Sequence, residues 1–97
     1  MNKYLLKLYI TGNSIRSQRA IANICRICRE ELKDQYTVEI IDVLEEPHRA
    51  EQEKILVTPT LIKQFPPPLQ RIIGDMSNTQ RVLFGLDILP SELEVNS

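Results

Sequence analysis

Two thiols three residues apart, in Cys25-Arg26-Ile27-Cys28, are the side chains best suited by type and spacing to do chemistry. A C-x-x-C pair beside a strand–helix–strand unit suits dithiol–disulfide exchange. That reaction needs its first thiol at a helix N-terminus, where free amides and the helix dipole lower the pKa. The helix here starts near Ser14, so Cys25 falls about three turns inside it. Both sulfurs also fall on the apolar stripe of that helix, and burial raises a thiol's pKa. The reading is two structural cysteines. A redox or glutathione-binding protein using Cys25 and Cys28 is the alternative. Zinc fits worse, because Cys25, Cys28 and the single histidine, His48, supply three irregularly spaced ligands where a closed site takes four. Gly12 stands without the rest of a phosphate-loop pattern. The five aromatics are scattered rather than interleaved with bases, which argues against nucleic acid. These residue types imply no enzyme, no metal and no cofactor.

The elements that must position these residues are clear in the first half. Tyr4–Ile10 alternates as a strand, with Leu6, Leu8 and Ile10 on one face and Leu5 and Tyr9 on the other. Apolar residues on both faces predict a central strand covered on each side. Thr11-Gly12-Asn13-Ser14 is a turn whose Asn13 or Ser14 can cap a helix. In that helix Ile21, Ile24, Cys25, Cys28 and Leu32 repeat at three- and four-residue steps, predicting one buried stripe. Arg16, Arg19, Arg26 and Arg29 fall on the opposite side. Tyr36–Val43 is a second, β-branched strand, so the half is a βαβ unit with parallel strands.

The second half does not settle from local preference. Pro47–Leu56 can start a helix with proline in its first turn, and Thr60–Gln64 reads as a strand. Pro66-Pro67-Pro68 favours an extended polyproline stretch. Leu69–Ile73 is short enough to be strand or helix. Ser77 and Gln80 have capping-box spacing for a helix presenting Thr79, Val82, Leu83 and Leu86, yet Val82–Leu89 also has strand composition.

Ninety-seven residues make one domain, read as 1–89 followed by a short acidic tail, 90–97. Hydrophobic residues at 42% and charged residues at 26% are ordinary globular values. No apolar run approaches the ~20 residues of a membrane helix, and the N-terminus lacks a secretory signal. With two cysteines and no disulfide framework, the expectation is a cytoplasmic protein with reduced thiols. Charge is segregated along the chain. Met1–Arg29 carries six bases and no acid, Glu30–Glu53 nine acids against two bases, and the remainder four of each. A two-signed surface suits a protein partner better than nucleic acid or membrane.

Several stretches together resemble the KaiB family of circadian clock proteins. They are Tyr4-Leu5-Leu6-Lys7-Leu8-Tyr9 with Gly12-Asn13, then Arg19-Ala20, Ile41-Asp42-Val43-Leu44 and Pro47. The most specific are Lys54-Ile55-Leu56-Val57-Thr58-Pro59-Thr60-Leu61 and Arg71-Ile72-Ile73-Gly74-Asp75-Met76-Ser77, with Val82-Leu83 and Gly85-Leu86-Asp87 following in register. The resemblance implies an α/β protein of the thioredoxin-like superfamily, with a common βαβ half and a metamorphic second half. A resting βαββααβ form packs as dimers or tetramers and is favoured for the free protein. A thioredoxin-like βαβαββα monomer binds the N-terminal ATPase ring of the KaiC hexamer and can gather KaiA or a sensor histidine kinase. The helix-or-strand ambiguity of the second half is what two packings close in energy would produce.

By position, the resemblance implies partner-binding roles for Tyr4, Lys7, Arg19, Lys54 and Arg71. Gly85 and Asp87 match positions that influence the balance of the two forms. Pro59, Pro66, Pro67 and Pro68 are fold-switch candidates because X-Pro bonds isomerise slowly, and a Thr-Pro before a strand is a common cis site in thioredoxin-like folds. The chain departs from the family at Glu39, where many members carry lysine, and at Gln70, which replaces the first of a pair of arginines. Asn78-Thr79-Gln80 replaces charged residues, and Ser14-Ile15-Arg16 replaces Thr-Pro-Asn. These departures bear on partner choice rather than on fold, and they fit a system without KaiA that uses a divergent KaiC.

Overall fold

In a computed structural model, which describes residues 3–33 and 35–87, seven elements run β-α-β-α-β-β-α. They are β1 (Tyr4–Ile10), α1 (Ile15–Ile27), β2 (Tyr36–Asp42), α2 (Pro47–Gln52), β3 (Thr60–Phe65), β4 (Gln70–Ile73) and α3 (Thr79–Gly85). This is the thioredoxin-like order of the two the sequence suggested. The expected acidic tail, 90–97, lies outside the described residues.

β1 occupies the centre that its two-faced apolar pattern predicts. The strands lie in the order β2-β1-β3-β4. β1 pairs in parallel with β2 from Tyr4 opposite Tyr36 to Ile10 opposite Asp42, and antiparallel with β3. β4 closes the other edge antiparallel to β3. On one face Leu6, Leu8, Ile10 and Leu61 pack with Ile24 and Ile27 of α1 and Val82 and Leu83 of α3. On the other, Tyr9, Ile41 and Ile62 form a smaller cluster with Val43 and Ile55.

α1 is capped by Ser14, whose hydroxyl accepts from the Ser17 amide at 3.2 Å. Beyond Ile27 it continues as a wider π-type turn, Cys28–Leu32, to Lys33, which has a left-handed backbone. Its buried stripe is Ala20, Ile24, Ile27, Cys28 and Leu32, which corrects the predicted one. Ile21 is half-buried and Cys25 exposed. At about 100° per residue, Cys25 lies 100° from Ile24 and 140° from Ala20, on the flank rather than on the stripe.

The undecided segments resolve as two strands and two short helices. α2 has Pro47 in its first turn but stops at Gln52, short of the predicted reach to Leu56. Residues 66–68 do not run as extended polyproline, because antiparallel β3 and β4 require the chain to reverse between Phe65 and Gln70. The Thr58–Pro59, Phe65–Pro66 and Pro67–Pro68 bonds are cis. α3 is capped by Asn78, whose side-chain oxygen accepts from the Arg81 amide at 3.0 Å. Ser77, the expected cap, instead donates its amide to Asp75 at 3.1 Å.

Candidate partner-binding surface

The paired strands put Glu39 of β2, Lys7 of β1, Ile62 of β3 and Arg71 of β4 in one row across the sheet. Residues paired across strands share a face, and this is the face that α2 covers. Arg71 reaches from the row to the end of α2, donating through Nη1 to the Lys54 carbonyl at 3.4 Å and through Nη2 to the Glu53 carbonyl. The Glu53 carbonyl belongs to the C-cap of α2 and the Lys54 carbonyl to the residue after it, so a guanidinium there meets the negative end of the helix dipole. Lys54 turns the chain out of α2 with a φ of +56° and is exposed. The structure therefore brings Lys54 and Arg71 into contact, with Lys7 on the same face.

The other two partner-binding candidates stand elsewhere. Arg19 projects into solvent from α1, on the opposite face of the sheet, beside exposed Arg16. The carboxylate of Asp75 faces this pair and is held below the usual range, first by hydrogen bonds from Ser77 and then by the nearby charges of Arg16 and Arg19. Tyr4 is half-buried and packs on the main core. Gly85 presses α3 on β4, where an added Cβ would come 2.6 Å from Cδ1 of Ile72. Asp87 sits just past the end of α3 with a φ of +59°.

Polar links that the residue pattern did not reveal join the two halves of the chain. Arg49 of α2 forks onto Glu39, with Nη1–Oε2 2.5 Å and Nη2–Oε1 2.9 Å. Glu39 is one of the positions expected to depart from the resemblance, and this bond to Arg49 is the main reason its carboxyl is held below the usual range. Asn23 of α1 donates to the Asp75 carbonyl at 2.9 Å, and Arg26 to Thr79 at 3.1 Å. Thr79 is another such position. A lysine at 39 could not accept from Arg49, which is the one signal in the sequence pointing to that pair.

At the α1 end of the strands the turn is built from hydroxyls. The Thr11 and Thr58 hydroxyls lie 2.5 Å apart, and the Ser17 hydroxyl donates to the Thr11 carbonyl at 3.2 Å. Thr11 and Thr58 also line a groove of about 230 Å³ with Val43, Ala50, Ile55 and Val57. No thiol is near this turn. Cys28 is 1% exposed, and its pKa is pushed up to about 12, chiefly by burial and secondarily by Cys25. Dithiol exchange therefore lacks a reactive second thiol at Cys28, and Cys25 stands near the far end of α1 rather than at its N-terminus. Among the described residues no group of three or more His, Cys, Asp or Glu could hold a metal ion, and no helix is long and apolar enough to cross a membrane.

A KaiB domain model matches residues 7–88. The chain belongs to the KaiB family. It is 76% identical over 95 residues to the circadian clock protein KaiB3 of Synechocystis, covering 98% of this chain and 93% of that one. It is 51% identical over 90 residues to the circadian clock oscillator protein KaiB of Thermosynechococcus vestitus, covering 93% and 83%. Relatives within the KaiB family thus carry names of clock proteins rather than of catalysts. Among solved structures, this KaiB-family fold is similar to the N-terminal domain of Synechococcus elongatus SasA, with a TM-score of 0.74 at 21% identity, covering 100% and 88%. It is also similar to mitochondrial thioredoxin 3 of Saccharomyces cerevisiae, with a TM-score of 0.71 at 17% identity, covering 90% and 79%. The thioredoxin-like fold is common to all three. At the start of its first helix this chain has Gly12-Asn13-Ser14 and no thiol.

Proposed function

We propose that this chain is a non-enzymatic regulator that docks on the N-terminal ATPase ring of a KaiC-type hexamer and modulates its ATPase and phosphorylation cycle. The observation that carries the reading is the pair of exposed arginines, Arg16 and Arg19, on the α1 face of a KaiB-family chain in the thioredoxin-like order. Exposed guanidinium groups suit steering toward an acidic surface and charge-assisted hydrogen bonds with it. Lys7, Lys54 and Arg71 contribute charge on the other face, and Tyr4 supports β1 from the core side. In the cytoplasm the free protein rests as a dimer or tetramer of the other element order. Gly85, Asp87 and the proline-bearing segments at Pro59 and Pro66 to Pro68 belong to the half that rearranges. Once on the ring, the chain offers a platform for KaiA or a sensor histidine kinase.

Gel filtration of the chain with its cognate KaiC ring tests this. A complex forming slowly is expected, and Arg19→Glu should weaken it about tenfold or more, as reversing a contact charge does. No complex with any cognate ring, or an unaltered affinity of the Arg19→Glu variant, overturns the reading.

A further inference from the structure

α2 is held to the sheet in an unusual way for a helix. It is six residues long, has no side-chain N-cap and buries none of its residues. A helix that short does not persist unaided. Two arginines, one within the helix and one from the sheet, supply the hold. Arg49, in its middle, forks onto Glu39 of the edge strand, with Glu46 3.5 Å from the same guanidinium. Arg71 of the opposite edge strand donates to the carbonyls of Glu53 and Lys54 at its end. On the face that this strap crosses lies the smaller core cluster, Tyr9, Ile41 and Ile62, each 0% exposed and packed with Val43 and Ile55, and the Tyr9 hydroxyl has no hydrogen-bond partner. The groove lined by Val43, Ala50, Ile55 and Val57 runs along its edge.

We infer that α2 is a lid clasped at both edges of the sheet by Arg49 and Arg71, and that it opens as a unit while the strands beneath stay paired. Opening leaves β1, β2 and β3 intact, because their ladder does not involve α2. It uncovers the Tyr9 face and enlarges the groove beside it. The consequence for function rests on the proposed rearrangement of the second half, for which this opening is the first step. The opening itself is a property of the thioredoxin-like form and needs no partner. Exposed polar clasps are screened by salt and rank low in local stability, which places α2 among the first segments to open.

Amide hydrogen exchange of the full chain without any partner, in dilute solution where mass action favours the thioredoxin-like monomer, tests this. It is read at Glu53, Lys54 and Ile55, whose amides bond within or just beyond α2, and at β1 and β3 as internal controls. The α2 amides are expected to exchange well ahead of β1. Arg49→Gln and Glu39→Gln should each speed them at least about threefold while leaving β1 and β3 unchanged, and the double variant should be no faster than either single one. Arg71→Gln should act in the same direction, as should about 0.5 M sodium chloride, where charges are screened within a few ångströms. Exchange of α2 and β1 at one common rate overturns the lid, as does indifference of α2 to both arginines. Neither result depends on whether a KaiC ring binds, so the two readings fail separately.

Discussion

At the scale of single residues, Cys25 and Cys28 show how neighbours in sequence acquire different chemistry. They are three positions apart on one helix, yet Cys25 faces solvent and Cys28 is enclosed. A thiol-specific reagent should label Cys25 in the native chain and reach Cys28 only after denaturation, which mass spectrometry of digested protein reads directly. Equal native labelling would contradict the packing of α1. The spacing alone pointed to a pair on one stripe. The position of that stripe depends on whether Ile21 or Ile27 turns inward, and the strands against which α1 packs decide that. The Glu39–Arg49 pair was equally hidden, since its partners are ten residues apart on two elements whose relative placement no local pattern specifies.

At the scale of elements, α3 carries a residue that works against it. Asp87 stands just past its C-terminus, where the helix dipole disfavours an anion, and adopts a left-handed backbone that costs a side chain energy. Asp87→Arg replaces the wrong sign with the right one and should stabilise α3 by about 0.3–1 kcal/mol. Urea unfolding reads this gain, and proton–nitrogen spectra should show the population moving toward the thioredoxin-like order. Lower stability with an unmoved spectrum would refute it. Gly85→Ala acts in two directions. Alanine is favoured in a helix by up to about 1 kcal/mol, but its methyl crowds Ile72. Both Cδ1 and Cγ1 of the Ile72 side chain, 2.6 and 3.1 Å from the added Cβ, have to give way, so a smaller net gain is expected, increased when Ile72→Val makes room. Asn78→Ala, by removing the cap, should cost about 1 kcal/mol in the same measurement.

At the scale of the whole molecule, pH bears on the fold from both sides. Glu39 and Asp75 are held below their usual ranges in the folded chain. The contribution of each is complete above its unfolded pKa, near pH 4, and declines as the pH falls through the depressed folded value. Cys28 moves the other way, from 9.0 to about 12, and Tyr9 is raised from 10.0, mainly by burial. Above about pH 9 the unfolded chain releases the Cys28 proton while the folded chain retains it, so stability falls from there toward pH 12. Urea midpoints between pH 7 and 10.5 should fall for the native chain and less steeply for Cys28→Ala. Parallel slopes would count against the thiol as the cause.

The amino-acid order determined by itself the central β1, the parallel β2, the arginine-bearing outer side of α1 and membership of the KaiB family. Each of these rests on a local period, or on a run of residues long enough to act as a signature. It left the second half open because Thr60–Phe65, Gln70–Ile73 and Thr79–Gly85 are each short, and a short apolar segment gains little from its own helix or strand preference. What decided them is tertiary. β3 gains a ladder with β1, β4 gains one with β3, and α3 buries Val82 and Leu83 against the sheet those strands complete. The same long-range assembly sets Glu39 beside Arg49 and Arg71 beside the end of α2, because only the folded sheet brings its two edges within reach of one helix.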